Sequence, residues 1–291
     1  MCRLFGFRSV IKSQVHSSLL QADNALGTQS ERHPDGWGVA YYVDGCPQVM
    51  RSPQHALADH LFHRLSGVAA SETVLAHVRK ATQGEKTMLN CHPFQHGRWT
   101  FAHNGDIPRF SELREQLLEC IEPDLRRFIL GDTDSETIFF LLLSELRQHG
   151  PLRAEFSISQ LVGAVRKTAR RVRKLCDEAG KQRCLLTLVV TDGSSLVAMQ
   201  GGKELFFSTY KRNCPERQTC ASLNQQCEAP TTTGYVNHFI VSSEPLQGDN
   251  VWEELAEGDV VAVDGGMRLS RETLERVRLS CVTDTLALPA Q

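Results

Sequence analysis

The second residue of the chain is a cysteine, in the opening run Met1-Cys2-Arg3-Leu4-Phe5-Gly6. Removal of the initiator methionine, which a small second side chain generally permits, puts a thiol and a free α-amine on one residue. An α-amine titrates at roughly 7.7–8.0 and a thiol near ~8.5, so the amine can take the proton of the thiol near neutral pH. Cys2 is therefore a candidate nucleophile with its own base. The alternative is a small apolar residue at the start of a buried strand.

Two blocks further along contain arginines beside turn residues. In Arg32-His33-Pro34-Asp35-Gly36-Trp37-Gly38, a proline and two glycines set a turn that places Arg32 and Asp35 near the start of a strand. By itself this block is a loop. In His77-Val78-Arg79-Lys80-Ala81-Thr82-Gln83-Gly84, Arg79 ends a strand, and the hydroxyl of Thr82 and a glycine turn follow. The planar guanidinium can hold a carboxylate through two parallel hydrogen bonds, and a surface ion pair is the alternative.

Three more blocks carry polar groups at predicted strand or helix ends. His92, in Asn90-Cys91-His92-Pro93-Phe94, is either a structural hydrogen-bonding residue or a functional group. Asn104-Gly105, in Phe101-Ala102-His103-Asn104-Gly105-Asp106, offers a side-chain amide beside an unhindered backbone N–H, which suits a developing oxyanion, although Asn-Gly is also the commonest hairpin turn. Asp134, in Asp132-Thr133-Asp134-Ser135-Glu136-Thr137, belongs to an acidic first helical turn or presents a carboxylate to an ammonium group.

Each block is weak evidence when taken alone. Together they supply a nucleophile, a base, an oxyanion pocket, a group that binds an anion and a group that binds a cation. This set of groups suits a zwitterionic amino acid whose side-chain amide is attacked.

The composition is that of an ordinary globular protein. The chain has 291 residues, of which 41% are hydrophobic and 23% charged, with a formal net charge of -2. This charge balance creates no positive electrostatic potential that would attract nucleic acid or an anionic membrane, so neither is expected as a partner. There is no apolar run of about 18 residues and no signal peptide, and we expect a cytoplasmic protein. The ten cysteines are scattered, which indicates reduced thiols, and we expect neither a metal nor a cofactor.

The elements that must position these groups come in blocks. The first strands are predicted over 4–10, 38–43, 73–78 and 98–102. Helical spacing follows over 111–121, 134–147 and 157–179, the last with Leu161, Val162, Val165 and Val172 inward. A second group of strands is predicted over 184–191, 195–200, 204–208, 238–242 and 259–263, and a charged helix-like stretch and a tail after about 270. Strands, helices and strands again predict two sheets with helices outside.

The order of these blocks resembles the class II glutamine amidotransferases, which are N-terminal-nucleophile (Ntn) hydrolases. The matching motifs are the leading Cys2, Arg79, Asn104-Gly105 and Asp134, and the resemblance extends over residues 2–266 as one domain, with 267–291 as a C-terminal extension. The later runs Val241-Ser242-Ser243-Glu244-Pro245-Leu246 and Gly258-Asp259-Val260-Val261-Ala262-Val263-Asp264 are similar to a stand-alone subfamily that includes γ-glutamyl amide hydrolases. That subfamily has no synthase domain, and we expect none here.

The resemblance implies an α+β fold in four layers (αββα), with two antiparallel sheets face to face between helices. It also implies the roles of the site residues. Cys2 attacks the γ-carbonyl of a γ-glutamyl amide, and Asn104 and Gly105 bind the oxyanion. Arg79, with Thr82 beside it, binds the α-carboxylate, and Asp134 binds the α-ammonium. A γ-glutamyl thioester forms and water hydrolyses it.

Two positions depart from the pattern of the synthase-fused relatives. Lys80 stands where an aromatic residue commonly follows the arginine, and Gln83 stands where a histidine commonly follows the threonine. The resemblance therefore does not imply how the released ammonia is channelled or which molecule accepts it. Three hypotheses remain: an amidotransferase or glutaminase that uses glutamine, with or without a partner synthase or peptidase subunit; a γ-glutamyl hydrolase of a larger thiol-containing amide such as a glutathione-like peptide; and a catalytically idle scaffold.

Overall fold

The chain folds into two antiparallel sheets with helices on their outer faces. The computed structural model describes residues 2–14, 17–178, 183–214, 217–218 and 220–273. In this part of the chain the strands are β1 Arg3–Gln14, β2 Trp37–Val43, β3 Cys46–Ser52, β4 Ala70–Val78, β5 Phe94–His96, β6 Trp99–Asp106, β7 Leu185–Thr191, β8 Leu196–Met199, β9 Phe206–Ser208, β10 His238–Ser242, β11 Glu253–Glu254, β12 Asp259–Val263 and β13 Leu269–Thr273. The α-helices are α1 Leu26–Gln29, α2 His60–Val68, α3 Phe110–Glu119, α4 Pro123–Arg126, α5 Asp134–Arg147 and α6 Ile158–Glu178.

The two sheets have seven and six strands. The first sheet has the order β11-β9-β10-β1-β4-β2-β3, and the second has the order β13-β12-β8-β7-β6-β5. The longest strand, β1, lies between β10 and β4, so it is central in its sheet. In the second sheet, β6 pairs with β5 on one side and with β7 on the other.

Alternation along β1 assigns its side chains to two different cores. Leu4 is buried between the sheets with Val189 and Ala102 of the facing sheet. Phe5 and Phe7 point to the opposite face, where they pack in one cluster with residues of α2. Because neighbouring strand residues face opposite sides of a sheet, one strand serves both layers. A third cluster joins the outer face of the six-stranded sheet to α3, α5 and α6. These layers confirm the predicted αββα architecture.

The helices of the third cluster follow the predicted spacing. α5 spans Asp134–Arg147 as expected, and almost all of its residues are buried. In α6 the predicted inward residues are buried: Leu161, Val162, Val165 and Val172. The basic face of α6 is paired, with Arg166 2.7 Å from Glu272 and Arg171 3.0 Å from Glu145.

The structure also contains elements that the sequence did not predict. β3 and α2 were not expected, because Cys46–Ser52 is polar and half-exposed and α2 is short. The stretch Leu269–Thr273 is a strand paired with β12 rather than the start of a helix, so the second sheet continues past residue 266. The predicted charged tail beyond 273 lies outside the described residues. The proposed domain boundary stays a prediction.

Disulfides, membrane-spanning helices and clusters of metal-binding side chains can be assessed over the described residues. Nine cysteines, all but Cys281, fall within them and are not joined in disulfides. No helix there is long and apolar enough to cross a bilayer. No group of three or more histidine, cysteine or acidic side chains is arranged to hold a metal ion in that same part of the chain.

The burial of α5 predicts that its side chains contribute strongly to the free energy of unfolding. Leu141 is fully buried on this helix, whereas Leu130, in the loop before it, is 66% exposed. We expect Leu141→Ala to lower the free energy of unfolding by about 2–5 kcal/mol, because a buried leucine leaves a cavity behind. Leu130→Ala is the matched control and should change it by less than about 0.5 kcal/mol. Urea unfolding of both variants measures the difference, and equal effects would contradict this packing.

Candidate active site

Cys2 lies at the end of β1, against the backbone of Lys80. The register pairs Arg3 with Val78, so the residue before β1 faces the residues that follow β4. The Cys2 thiol donates to the Lys80 carbonyl at 3.4 Å, and its sulfur accepts the Lys80 N–H at 3.4 Å. Burial raises the pKa of the Cys2 thiol, and the Lys80 backbone lowers it only in part. The thiol is therefore neutral near pH 7, and a base must remove its proton.

Arg79 is buried, with 2% of its surface exposed, and its guanidinium holds the following loop. Nη1 donates to the Glu85 carbonyl at 3.1 Å, and Nη2 donates to the carbonyls of Gln83 at 2.7 Å and Gly84 at 3.3 Å. Within the described residues it makes no ion pair, so the alternative of a surface ion pair is wrong. We call residues 80–86 the arginine loop.

The Pro-Asp-Gly turn before β2 supports the same loop. The Arg79 N–H donates to the Gly36 carbonyl at 2.7 Å, and the Asp35 N–H donates to the Arg79 carbonyl at 3.0 Å. The Asp35 carboxylate accepts the Ala81 N–H at 2.9 Å and pairs with Lys86. Burial favours a higher pKa for Asp35, but Lys86 and the Ala81 N–H outweigh it and hold that pKa below its usual range. This block is thus a support for the arginine loop, a role that the sequence did not predict.

Two other candidate residues lie at the periphery. Arg32 ends a single 3₁₀ turn and is exposed. Thr82 is exposed on the arginine loop. The structure does not bring either side chain into contact with Cys2. Both side chains are thus solvent-exposed, and the role of Thr82 stays a prediction.

Asn104 and Gly105 lie inside β6 and not in a hairpin turn. Asn104 is opposite Thr187 and Gly105 is opposite Leu186 on β7, so the hairpin alternative is wrong. Asn104 is 2% exposed, and its Oδ1 finds no hydrogen-bond donor among the described residues. A Cβ on Gly105 would lie 1.8 Å from the Leu185 carbonyl oxygen, so only glycine fits there. The amide oxygen of Asn104 is thus not used by the fold, although buried polar atoms are normally paired.

Asp134 begins α5 but does not cap it. The cap is Thr133, whose hydroxyl accepts the Glu136 N–H at 3.2 Å. The Asp134 carboxylate instead crosses to the end of β6, where it accepts the Ile107 N–H at 2.8 Å. Burial raises the pKa of Asp134, while the nearby His103 and the Ile107 N–H lower it in part. The helix cap therefore explains Glu136 and Thr133 but leaves Asp134 directed to the site.

The site residues from the two sheets are brought together. The Cys2 thiol is within electrostatic range of both Arg79, which lowers its pKa, and Asp134, which raises it. The Gln83 side chain donates to Asp106 Oδ1 at 3.1 Å, which joins the arginine loop to the end of β6. The structure thus places Cys2 and Arg79 of one sheet beside the Asn104-to-Asp134 region of the other.

A pair of buried histidines lies beneath this region. The rings of His77 and His92 are 4.1 Å apart and both are fully enclosed. Burial lowers the pKa of His77 to about 3 and that of His92 well below its usual range, so both imidazoles are neutral. His92 also packs edge-on against Phe94. These ring contacts place His92 in the packed interior, but neither of its ring nitrogens has a hydrogen-bond partner among the described residues, so the predicted hydrogen-bonding role is not found.

A cavity of about 350 Å³ lies elsewhere, at the far end of β1. Its lining includes Ile11, Cys214, Cys227 and His238 but not Cys2. It therefore is not part of the site built around the leading cysteine. The segment from Cys214 to Tyr235, for which the sequence indicates no function, contributes part of its wall.

Comparison with known proteins supports the assignment of the fold and the family. The family model described as glutamine amidotransferases class-II matches residues 1–285. The yeast protein "Probable glutamine amidotransferase DUG3" from Saccharomyces cerevisiae is 32% identical over 224 residues, which cover 68% of this chain and 62% of the yeast protein. The gamma-glutamyl-hercynylcysteine sulfoxide hydrolase of Mycobacterium tuberculosis is 34% identical over 119 residues, covering 38% of this chain and 51% of that protein.

A solved structure shares the fold at low sequence identity. The glutamine aminotransferase class-II domain protein of Silicibacter pomeroyi superposes with a TM-score of 0.64 and 20% identity, and covers 94% of this chain and 99% of that chain. The two sheets, their flanking helices and this match confirm an Ntn-type fold. The chain belongs to the class II glutamine amidotransferases, and it spans 62% of the length of the yeast relative.

The close approach at Gly105 leads to a test. Gly105→Ala places a methyl group against the Leu185 carbonyl, so β6 must move away from β7. We expect the free energy of unfolding to fall by about 1–3 kcal/mol. Gly163→Ala is the control, because nothing lies within 4 Å of its Cβ position on α6 and alanine favours a helix. Thermal and urea unfolding compare the two, and a Gly105→Ala protein as stable as the control would contradict the described strand pairing.

Proposed function

We propose that the enzyme hydrolyses a γ-glutamyl amide by nucleophilic attack of Cys2, through a γ-glutamyl thioester. The observation that carries this proposal is the meeting of Cys2 with groups of both sheets. The thiol contacts the Lys80 backbone, next to Arg79, and it is within electrostatic range of Asp134 at the start of α5, the helix that packs on the other sheet. This arrangement offers a nucleophile between one cation and one anion, which suits the α-carboxylate and α-ammonium of a glutamyl group.

The proposed first step begins with proton removal. Because burial keeps the Cys2 thiol protonated, its own α-amine, freed when Met1 is removed, takes the proton. The sulfur then attacks the γ-carbonyl carbon, and the carbonyl electrons move to the oxygen. The Asn104 side-chain amide and the Gly105 N–H bind this oxyanion, and one such donor is worth about 10²–10³ in turnover in a well-studied hydrolase.

The second half of the reaction releases the two products. The tetrahedral intermediate collapses, the C–N bond breaks, and the α-ammonium returns its proton to the departing amine or ammonia. A γ-glutamyl thioester on Cys2 remains. Water adds to its carbonyl carbon with the α-amine again as base, the C–S bond breaks, and glutamate leaves with the thiol restored.

The proposed binding of the α-carboxylate by Arg79 and of the α-ammonium by Asp134 is compatible with the hydrogen bonds that these residues already make. The guanidinium of Arg79 uses three contacts on loop carbonyls, yet it has five N–H donors, so donors remain for an α-carboxylate. Thr82 stands on the same loop. Each carboxylate oxygen of Asp134 accepts a backbone N–H, and its remaining lone pairs can accept an α-ammonium.

A second candidate substrate is a larger, thiol-containing γ-glutamyl amide. The relative named as a gamma-glutamyl-hercynylcysteine sulfoxide hydrolase favours it. Lys80 and Gln83 also leave the arginine loop without the aromatic residue and the histidine of synthase-fused enzymes. The rate of ammonia release from glutamine, compared with glutamate release from γ-glutamyl peptides, separates the two. A partner synthase or peptidase subunit, if present, would act on the amine that is released.

The nucleophile has a direct test. A glutamine-like electrophile should give one adduct per chain, on Cys2 of protein that lacks Met1, because this is the thiol that the proposal places against the γ-carbonyl. Intact-mass and peptide mass spectrometry identify the position. Cys2→Ala should remove the adduct and essentially all turnover. Exposed Cys46 is the matched control, and Cys46→Ala should label and turn over as the wild type does. Labelling confined to other thiols, or full activity in Cys2→Ala, would support the idle scaffold instead.

The proposed carboxylate clamp has a separate test. Arg79→Lys keeps the charge but loses the fork that holds both the loop carbonyls and the substrate. We expect KM for L-glutamine to rise by about tenfold or more, the value of a charged hydrogen bond, with a smaller fall in kcat. Arg32→Lys, at an exposed arginine outside the site, should leave both constants unchanged. Steady-state kinetics measure them. If wild-type enzyme turns over an amide without the α-carboxylate equally well, the clamp assignment is wrong.

A further inference from the structure

His103 occupies a central position between the two halves of the proposed site. Its ring is 1% exposed and lies between β7 and the start of α5. Nε2 is 2.9 Å from the Leu185 carbonyl oxygen, and Nδ1 is 2.9 Å from the Ser135 hydroxyl. Neither the proposed chemistry nor the sequence motifs assign a role to His103 or to Ser135.

The hydrogen-bond partners determine where the protons lie. A carbonyl oxygen only accepts, so Nε2 of His103 carries a proton toward Leu185. In the neutral ring Nδ1 is then an acceptor, and the Ser135 hydroxyl donates to it. If the ring is charged, Nδ1 donates to the hydroxyl oxygen, and the hydroxyl proton turns to Asp134 Oδ1, 3.2 Å away. In either state both Ser135 and the ring have fixed partners.

Ser135 in turn fixes the carboxylate of Asp134. Its N–H donates to Asp134 Oδ1 at 2.7 Å, while Ile107 holds the other oxygen, Oδ2. With one donor on each oxygen, the plane of the carboxylate is set, and its free lone pairs keep one direction. The ring of His103 also approaches Gly105, where an added Cβ would lie 2.3 Å from Nε2. One imidazole thus touches the oxyanion segment and, through one hydroxyl, reaches the carboxylate.

We propose that His103 and Ser135 are positioning residues that hold Asp134 at a fixed place relative to Asn104 and Gly105, and so set recognition of the α-ammonium group. The inference rests on the proposed function, in which Asp134 binds that group. It makes Ser135 a specificity-determining residue, although it does not touch the reacting atoms. Its removal should weaken only substrates that carry an α-amine.

The test compares L-glutamine with glutaramate, the same amide without its α-amino group. For Ser135→Ala we expect KM for L-glutamine to rise by about tenfold, with kcat changed less than about twofold. The backbone N–H donors of Ser135 and Ile107 remain, but the hydroxyl that joins Asp134 Oδ1 to Nδ1 of His103 is lost. The constants for glutaramate should not change. Ser135→Thr keeps a hydroxyl and should restore the wild-type ratio of the two KM values.

Controls separate positioning from general damage. Thr133→Ala removes the cap of the same helix, and it should lower the unfolding temperature without changing the KM ratio. His103→Gln is the second variant, and it should change the KM ratio in the direction of Ser135→Ala. Because His103 also packs on Gly105, this variant should lower kcat for both amides. Circular dichroism confirms that each variant is folded.

The outcomes also distinguish the inference from the proposed function. Asp134→Asn is measured in parallel. If Asp134→Asn leaves the KM ratio unchanged, Asp134 does not bind the α-ammonium, and both the assignment and the inference fail. If Asp134→Asn changes the ratio but Ser135→Ala does not, or if Ser135→Ala impairs both amides equally, the inference alone is overturned.

Discussion

The register between β1 and β4 is the constraint on which the site depends. Pairing of Arg3 with Val78 brings Cys2 to Lys80, and a slip of one residue would turn every side chain of β1 to the other face. Such a slip would put Phe5 and Phe7 between the sheets and Leu4 outside. The cost of exchanging these two cores fixes the register. The position of Cys2, the proposed nucleophile, is thus set mainly by hydrophobic burial along the whole strand.

The arginine loop depends on the same register, since it follows directly after β4. Arg79 binds three carbonyls of this loop, Asp35 binds Ala81 and Lys86, and Gln83 reaches Asp106. A loop tied at its start, middle and end lies over the thiol at low entropic cost when substrate binds. The polar side chains of these motifs therefore make hydrogen bonds to the backbone of the loop. The proposed contacts with substrate use the hydrogen-bond donors that remain.

Sequence patterns predicted the central elements and the groups that meet at the site, because both leave local signals. The buried strands are rich in β-branched and aromatic residues, and α5 shows its helical spacing, so both were found. β3 was missed because an edge strand with polar, half-exposed residues has no such signal. Asn104-Gly105 was ambiguous because local turn preference and long-range pairing with β7 compete, and pairing decides. The bonds of Asp35 to Ala81 and of His103 to Ser135 and Leu185 join segments far apart in the sequence, which no local pattern encodes.

The proton balance of the site gives a physical reason for a nucleophile that carries its own base. Burial holds the pKa of the Cys2 thiol above its usual value, so its base must have a comparable proton affinity. The imidazole of His77, with a pKa of about 3, is far too weak a base, and His92 is weaker than an ordinary histidine for the same reason. His103 already uses both ring nitrogens in hydrogen bonds, one with the Ser135 hydroxyl and one with the Leu185 carbonyl, so neither is available to the thiol. An α-amine titrates at roughly 7.7–8.0, much closer to the thiol than either buried imidazole, and an amine on the cysteine itself needs no further buried side chain to position it.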